Sequence, residues 1–261
     1  MRNRLKTALP AVLTAAAVLA AWQLFVAVTG IEKWLLPAPS DIGAALWANA
    51  GLLAHHTWPT LRETAVGLAA GTAAALVLAA LIDLSAWLRK AIYPLLVGTQ
   101  TVPIVAIAPL FIVWFGYGFL PKILIVALVT FFPIVVNLAE GLRSADADMV
   151  SLLKSMGAGR WKIFRSVRFP HTLPYLFSGL KIAATYSVMG AVISEWLGAS
   201  AGLGVFLIRA QQSFAADKVF AAIIVITFWS IAIFSIVQIS SKLIAPWAYG
   251  SDEETEGGKS K

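Results

Sequence analysis

Residues 61–84 read LRETAVGLAAGTAAALVLAALIDL, and they hold no charged side chain between Thr64 and Ile82. A helix needs about 20 apolar residues to cross the ~30 Å hydrocarbon layer of a lipid bilayer. Backbone N–H and C=O groups in that layer must form hydrogen bonds within the segment, as they do in a helix. Residues 61–84 therefore predict a transmembrane helix.

Apolar stretches of similar character recur on both sides of this segment. The chain is 59% hydrophobic and 13% charged, whereas soluble domains carry roughly 25% charged residues. The remaining predicted spans are residues 8–28, 102–117, 122–139, 173–197 and 219–244, with a short helix at 91–98. The fold class predicted is an all-α membrane protein with about six transmembrane helices. An amphipathic stretch at 42–50 is predicted to begin at an N-cap, either Ser40 or Asp41.

Lysine and arginine are distributed unevenly between the connecting segments. If the N-terminus is cytoplasmic, the inner segments carry twelve of these residues and the outer segments five, leaving out Lys181 within a span and the two lysines of the distal tail. The positive-inside rule then predicts that both termini are cytoplasmic. Residues 1–247 are predicted to form one transmembrane domain, and residues 248–261 a disordered cytoplasmic tail.

Composition and motifs exclude several classes of function. The net charge of +7 is spread between apolar spans, which indicates membrane orientation and not nucleic-acid binding. The chain has no cysteine, and its three histidines have no partner at zinc-ligand spacing. It holds no G-x-x-x-x-G-K-[ST] phosphate loop and no hydrolase signature. The sequence therefore predicts no metal site, no catalytic residue and no ATP hydrolysis by this chain.

The loop at residues 143–170 carries the most specific pattern. Asp146 or Asp148 is placed to cap a short helix, which has one apolar stripe formed by Met149, Leu152, Leu153 and Met156. Gly157 is suited to the left-handed conformation that ends a helix. A second amphipathic helix follows and is predicted to end at Pro170. The pair fits either helices lying on lipid headgroups or a docking element for another protein.

The spacing of Gly157, nine residues and Val167-Arg168-Phe169-Pro170 resembles the cytoplasmic loop of binding-protein-dependent ABC importer permeases. That family has Glu-Ala-Ala, three residues, Gly, nine residues and Ile-x-Leu-Pro. The chain departs from it at Ser151-Leu152-Leu153. The segments at 36–41, 107–116, 131–137 and 195–204 resemble the taurine, sulfonate and nitrate branch, which includes permeases for thiamine pyrimidine precursors and riboflavin. The segments at 100–109 and 117–122 most resemble the permeases for thiamine pyrimidine precursors and for riboflavin.

The resemblance implies a type I ABC importer permease in the bacterial inner membrane, with two copies forming the pathway for a small polar or anionic solute. Each copy would dock one ATPase subunit that binds ATP and Mg²⁺, and an external or periplasmic binding protein would deliver the solute. This chain would bind no cofactor itself. The residues that the resemblance assigns to ATPase coupling are Ser151, Leu152, Leu153, Met156, Gly157, Ala158, Gly159, Arg160, Trp161 and Pro170.

Three polar residues within or beside the spans are pathway candidates: Gln100, Asn137 and Glu195. An ionisable residue at membrane depth is a functional hypothesis by default. Glu195 lies near a span end, so the alternatives are extension to the outer interface or capping of the glycine-rich turn that follows. The two amides fit helix–helix hydrogen bonding equally well. Asp83, at the end of its span, is predicted to be solvated.

Gly67 and Gly71 form a G-x-x-x-G pattern, which predicts close helix packing inside the chain. Other classes of function remain open from the residues alone. A secondary transporter would need no ATPase but would favour broken, charge-bearing helices. An intramembrane hydrolase would need a nucleophile and a base at membrane depth. A membrane scaffold without transport is the third alternative.

Overall fold

A computed structural model describes residues 2–99 and 102–249, and the described part of the chain is almost entirely helical. The helices are α1 (Arg2–Thr29), α2 (Pro39–Ala48), α3 (Ala50–Leu84), α4 (Ala86–Thr99), α5 (Ile104–Phe115), α6 (Phe119–Arg143), α7 (Ala147–Ser155), α8 (Arg160–Ile163), α9 (Phe169–Glu195), α10 (Leu203–Gln212) and α11 (Ala216–Ile244). A π-helical segment (Phe164–Arg168) joins α8 to α9, and a 3₁₀ turn (Pro246–Ala248) follows α11. Gln100 and nearly all of the predicted tail, residues 250–261, lie outside the described residues.

Five helical segments are long and apolar enough to cross a membrane: Leu9–Thr29, Ala50–Asp83, Phe119–Arg143, Arg160–Glu195 and Ala216–Ile244. A sixth apolar helix, α5, is shorter, at 12 residues. The fold class predicted from the sequence is confirmed. The third predicted span, residues 102–117, is shorter in the structure. Non-helical residues separate α5 from α4 and from α6.

The chain divides into two compact units. Among the described residues, the first comprises those up to Pro59 with Ser200–Thr227, and the second comprises those between Thr60 and Ala199 with those from Phe228 onward. In the first unit, a buried core joins α2, the start of α3, α10 and α11 through Ala45, Leu53, Leu203, Phe206 and Ala221. Burying side chains of this kind removes apolar area from water and holds the short helices together.

The start of α2 corrects the predicted N-cap. Ala38 is the N-cap residue, and Pro39 begins the helix, where its missing N–H costs no intrahelical bond. The Asp41 carboxylate accepts a hydrogen bond from Ala38 N at 3.2 Å. Ser40 exchanges two 3.1 Å hydrogen bonds with Gln23 of α1 instead of capping the helix.

Charges outside the spans also tie the first unit together. The Lys33 ammonium lies 3.1 Å from Asp41 Oδ1 and 3.4 Å from Asp217 Oδ2. The hydrogen bond with Asp41 and the nearby Asp217 carboxylate raise the pKa of Lys33. Lys33 is exposed, so this network links α2 to the start of α11 without contributing much stability.

The second unit is built on the packing of α6 against α9 and α3. Gly179 of α9 lies so close to α6 that an added Cβ would sit 2.8 Å from the Pro133 carbonyl oxygen. Gly71 of α3 approaches α6 as closely, since its Cβ would lie 2.6 Å from the Ala127 carbonyl oxygen. The predicted use of the G-x-x-x-G pattern for packing within the chain is confirmed. The core beside these contacts contains Ala75, Ile134, Val135, Leu138 and Ala183.

The candidate coupling surface and the helix ends around it

α7 begins at an N-cap that the sequence left open between two residues. The structure selects Asp146, whose carboxylate accepts hydrogen bonds from Asp148 N at 2.8 Å and Met149 N at 3.2 Å. Asp148 lies in the first turn, where its negative charge complements the helix dipole. Both acids therefore stabilise the same end of α7 by different means.

The turn after α7 follows from the backbone freedom of glycine. Gly157 has φ +78°, which L-residues with a Cβ rarely adopt. Gly157 N donates to Lys154 O at 3.0 Å, and Ala158 N donates to Leu153 O at 2.9 Å. These bonds satisfy carbonyl groups at the end of α7. The predicted left-handed glycine is confirmed, and Gly159 caps the next helix in an extended conformation.

The second predicted helix of the loop does not end at Pro170. α8 continues through the π segment into α9, so Pro170 stands in the first turn of α9. Phe169 N donates to Phe164 O, a bond that spans five residues. The wider π turn fits a proline, which has no N–H to donate to the helix. The helix from residue 160 to residue 195 is therefore continuous.

Several large apolar side chains of the loop face outward. Leu152, Met156 and Trp161 are 56%, 74% and 71% exposed, whereas Val150 and Ile163 are buried and hold the loop against the unit. We call the set of outward-facing side chains the coupling surface: Met149, Leu152, Met156 and Trp161. Contiguous exposed apolar residues on a polar loop are typical of an interaction site.

The other residues assigned to coupling border this surface. Ser151, Gly157, Gly159 and Arg160 are exposed, whereas Leu153, Ala158 and Pro170 are half-buried. Trp161 stacks on Phe164 at 5.8 Å between ring centroids. The turn at residues 157–159 joins the end of α7 to the start of α8.

The base of the loop is tied to α3 by an ion pair that the sequence did not predict. Arg168 lies at the end of the π segment, and its Nη1 donates to Asp83 Oδ1 at 2.8 Å and to Oδ2 at 3.0 Å. The Asp83 side chain is 15% exposed, so the prediction that it is solvated is wrong. The two residues are 85 positions apart, and only tertiary packing brings them together.

The ion pair borders a cavity of about 870 Å³ in the second unit. α3, α6, the coupling loop and the start of α9 all line it. Its walls are mainly apolar, with Lys154 and Arg160 from the loop among them.

Two of the three pathway candidates lie within the described residues. Asn137 is half-buried on α6, and its Nδ2 donates to Pro133 O at 2.7 Å. Glu195 is 1% exposed and accepts a 2.6 Å hydrogen bond from Thr60 Oγ1. Protein atoms therefore enclose the Glu195 side chain almost completely. Gln100 lies outside the described residues, so the pathway role of all three stays a prediction.

Sequence reasoning missed two ionisable residues beside Glu195. Lys122 Nζ lies 2.6 Å from Glu63 Oε1, and the side chains are 15% and 3% exposed. Each residue stands near an end of its predicted span, which suggested solvent exposure. The sequence did hold one signal for this proximity. Glu63, Lys122 and Glu195 all fall near span ends, and neighbouring antiparallel helices bring such ends to the same depth in the membrane.

Residues 67–248 match the family model described as binding-protein-dependent transport system inner membrane component. The chain belongs to this family. The permease is 35% identical to the formylaminopyrimidine transport permease protein ThiX of Halalkalibacterium halodurans, over 87% of this chain and 90% of that protein. It is 31% identical to the riboflavin transport system permease protein RibX of Chloroflexus aurantiacus, over 87% and 85% of the two chains. It is 28% identical to the putative aliphatic sulfonates transport permease protein SsuC of Bacillus subtilis, over 89% and 85%.

The fold is also that of solved ABC transporters. A chain from the crystal structure of an amino acid ABC transporter with histidines superposes with a TM-score of 0.60 at 15% identity, over 78% of this permease and 97% of that chain. The permease is thus a multi-pass inner-membrane protein and the transmembrane subunit of an ABC importer. The predicted family and function are confirmed. Such a permease works with an ATPase and a substrate-binding protein.

Proposed function

We propose that two copies of this permease form a pathway for a small nitrogen-containing heterocycle, of the kind carried by the pyrimidine-precursor or riboflavin systems. The support is the order of resemblance. ThiX and RibX are 35% and 31% identical to this chain, whereas the taurine permease TauC of Escherichia coli is 27% identical. Import of a sulfonate, taurine or nitrate is the alternative within the family.

The coupling surface is where each ATPase subunit docks in this proposal. The observation that carries it is the exposure of Leu152, Met156 and Trp161 on a loop that buried Val150 and Ile163 hold in place. An amphipathic helix with an outward apolar ridge fits a groove on a partner protein. The basic residues of the loop favour the cytoplasmic side for it, and this proposal puts both termini on the same side.

ATP and Mg²⁺ belong to the ATPase subunits in this proposal, and the permease supplies the moving pathway. Because Arg168 joins the base of the loop to Asp83 of α3, displacement of the loop would be transmitted to α3 as well as to α9. Alternating access then becomes a two-state equilibrium that nucleotide and binding protein bias.

The direct test is uptake into proteoliposomes that hold the permease and its ATPase, with the binding protein supplied outside. Formylaminopyrimidine, riboflavin, taurine, an alkanesulfonate and nitrate are compared at equal concentration. We expect ATP-dependent accumulation of a heterocycle, and no ATP hydrolysis by the permease alone. Accumulation of only taurine, sulfonate or nitrate would overturn the substrate proposal, and uptake without an ATPase would overturn the subunit assignment.

A further inference from the structure

The cavity between the coupling loop and α3, α6 and α9 has no part in the proposed docking of an ATPase. We call it the loop cavity. Its volume of about 870 Å³ lies within the range of about 300–1,000 Å³ that is typical of small-molecule sites. Leu76 of α3 and Phe169 of α9 line it and are 44% and 47% exposed. The described residues therefore leave apolar wall uncovered.

The walls of the loop cavity change from charged to apolar with depth along the spans. Asp83 lies near the C-terminal end of α3, whereas Leu76 lies seven residues further into the same span, a distance of about 10 Å along the helix. In α9, Leu173 and Leu176 likewise lie within the span, beyond the basic loop. The loop cavity therefore has a charged end where the loop joins the spans and an apolar end inside them.

The charged end of the loop cavity carries an excess of positive charge. Of its four ionisable residues, Arg168 is paired with Asp83. The other two, Lys154 and Arg160, are exposed, and neither forms an ion pair with a carboxylate of the residues that the structure describes. Electrostatic complementarity at this end therefore favours a ligand with a negative charge.

The position of the coupling loop indicates which negatively charged ligand is at hand. One span, Phe119–Arg143, ends at the loop and another, Arg160–Glu195, begins there, so the loop lies at a membrane surface. Phospholipid headgroups lie at the same level, and their acyl chains extend into the hydrocarbon layer. Basic pockets between transmembrane helices bind anionic headgroups. An anionic phospholipid thus has its charge and its apolar part in the same order as the cavity.

We propose that the loop cavity binds one anionic phospholipid. Lys154 and Arg160 hold its phosphate, and one acyl chain lies against the apolar walls that α3, α6 and α9 provide. The lipid then lies between the coupling loop and α3, so that its binding stabilises the position of the loop in which the cavity is open. This inference does not depend on the substrate or on ATPase docking.

The test is native mass spectrometry of the full-length permease, purified in detergent and titrated with dioleoyl phosphatidylglycerol or with dioleoyl phosphatidylcholine. The two lipids have the same acyl chains, and only the first has a net charge. We expect one phosphatidylglycerol per chain, bound about tenfold more tightly than phosphatidylcholine, because basic residues near the surface attract an anionic lipid. No ATPase is present, so the result is independent of the docking proposal.

Three variants locate the lipid. Lys154→Gln combined with Arg160→Gln removes both unpaired cations and should abolish the preference for phosphatidylglycerol. Lys162→Gln combined with Arg165→Gln is the matched control, because these basic residues belong to the same loop but do not line the cavity. Ala80→Trp fills the apolar end from α3 and retains both cations, so binding of both lipids should weaken. All five side chains are exposed, so the variants should fold.

Equal affinity of the wild type for the two lipids, or equal loss of preference in the two double variants, would overturn the proposal. Inorganic phosphate that binds as tightly as phosphatidylglycerol would indicate a site for a free anion instead. Undiminished binding to Ala80→Trp would put the lipid outside the cavity. Lipid bound to single chains but absent from dimers would show that a second permease copy covers the cavity, and this too would refute the assignment.

Discussion

Arg168 donates from one nitrogen to both carboxylate oxygens of Asp83, at 2.8 and 3.0 Å. The pair connects the π segment within the long helix of residues 160–195 to the C-terminal end of α3. Both side chains are mostly enclosed, at 33% and 15% exposure. The coupling loop, which continues from α6 and into α9, is therefore also joined to α3 by this ion pair.

Loss of this pair should weaken both stability and coupling. Asp83→Asn leaves the Arg168 guanidinium without its ionised partner, so we expect roughly 1–3 kcal/mol of destabilisation, measured by unfolding in detergent. Arg165→Gln removes an exposed arginine from the same π segment and should change little. Restored stability in the exchange Asp83→Arg with Arg168→Asp would support a direct pair, and simple additivity of the two single losses would contradict it.

Close packing of α3 on α6 should depend on Gly71. Gly71→Val places a side chain where even a Cβ would lie 2.6 Å from the Ala127 carbonyl oxygen, so we expect loss of several kcal/mol or failure to fold. Gly51→Val makes the same change in the first turn of the same helix, where nothing lies within 4 Å of the added Cβ. The folded yield of the two variants after purification tests this. Equal yields would show that the two helices do not pack as described.

The apolar coupling surface should be required for ATP-driven transport and dispensable for folding. Leu152→Asp places a charge on a side chain that is 56% exposed, so insertion should be normal. We expect substrate-stimulated ATPase activity and uptake to fall at least tenfold, because a carboxylate in an apolar contact is desolvated without a partner. Leu152→Met keeps the surface apolar and is the control. Full coupling in Leu152→Asp would exclude this residue from the docking contact.

Gly157 should be essential for the geometry of the turn. Its φ of +78° strains any residue with a Cβ, by about 1–2 kcal/mol, although no atom blocks the space around it. Gly157→Val should therefore misplace the coupling surface and lower coupling. Gly159→Ala should be tolerated, since Gly159 has an ordinary φ of −69°. Similar uptake by the two variants would count against a positioning role for the turn.

The orientation of the loop can be measured directly because the chain has no cysteine. Ser155 at the end of α7 and Ser200 after α9 are both exposed. A membrane-impermeant maleimide added to whole cells should label Ser200→Cys, and label Ser155→Cys only after the membrane is opened. Labelling of Ser155→Cys in intact cells would invert the proposed topology.

The sequence by itself determined the membrane class, most of the spans and the coupling loop. These features rest on local properties: runs of apolar residues, a capping aspartate, and a glycine that ends α7. The helix through Pro170 escaped prediction because a π turn accommodates a proline that an α-helix pattern treats as a stop. The N-cap of α2 escaped because Ser40 bonds to Gln23, far away in the chain.

Tertiary structure alone decided which charged residues meet. Asp83 with Arg168, Glu63 with Lys122, and Thr60 with Glu195 are contacts between helices distant in sequence. Each residue lies near the end of a span, where the sequence equally suggests exposure to water. Burial of such a group depends on how neighbouring helices are packed, and that packing arises from glycines and small side chains spread over α3, α6 and α9. A local sequence pattern describes a single helix, whereas the charged groups that meet in a buried site are set by the packing of several helices.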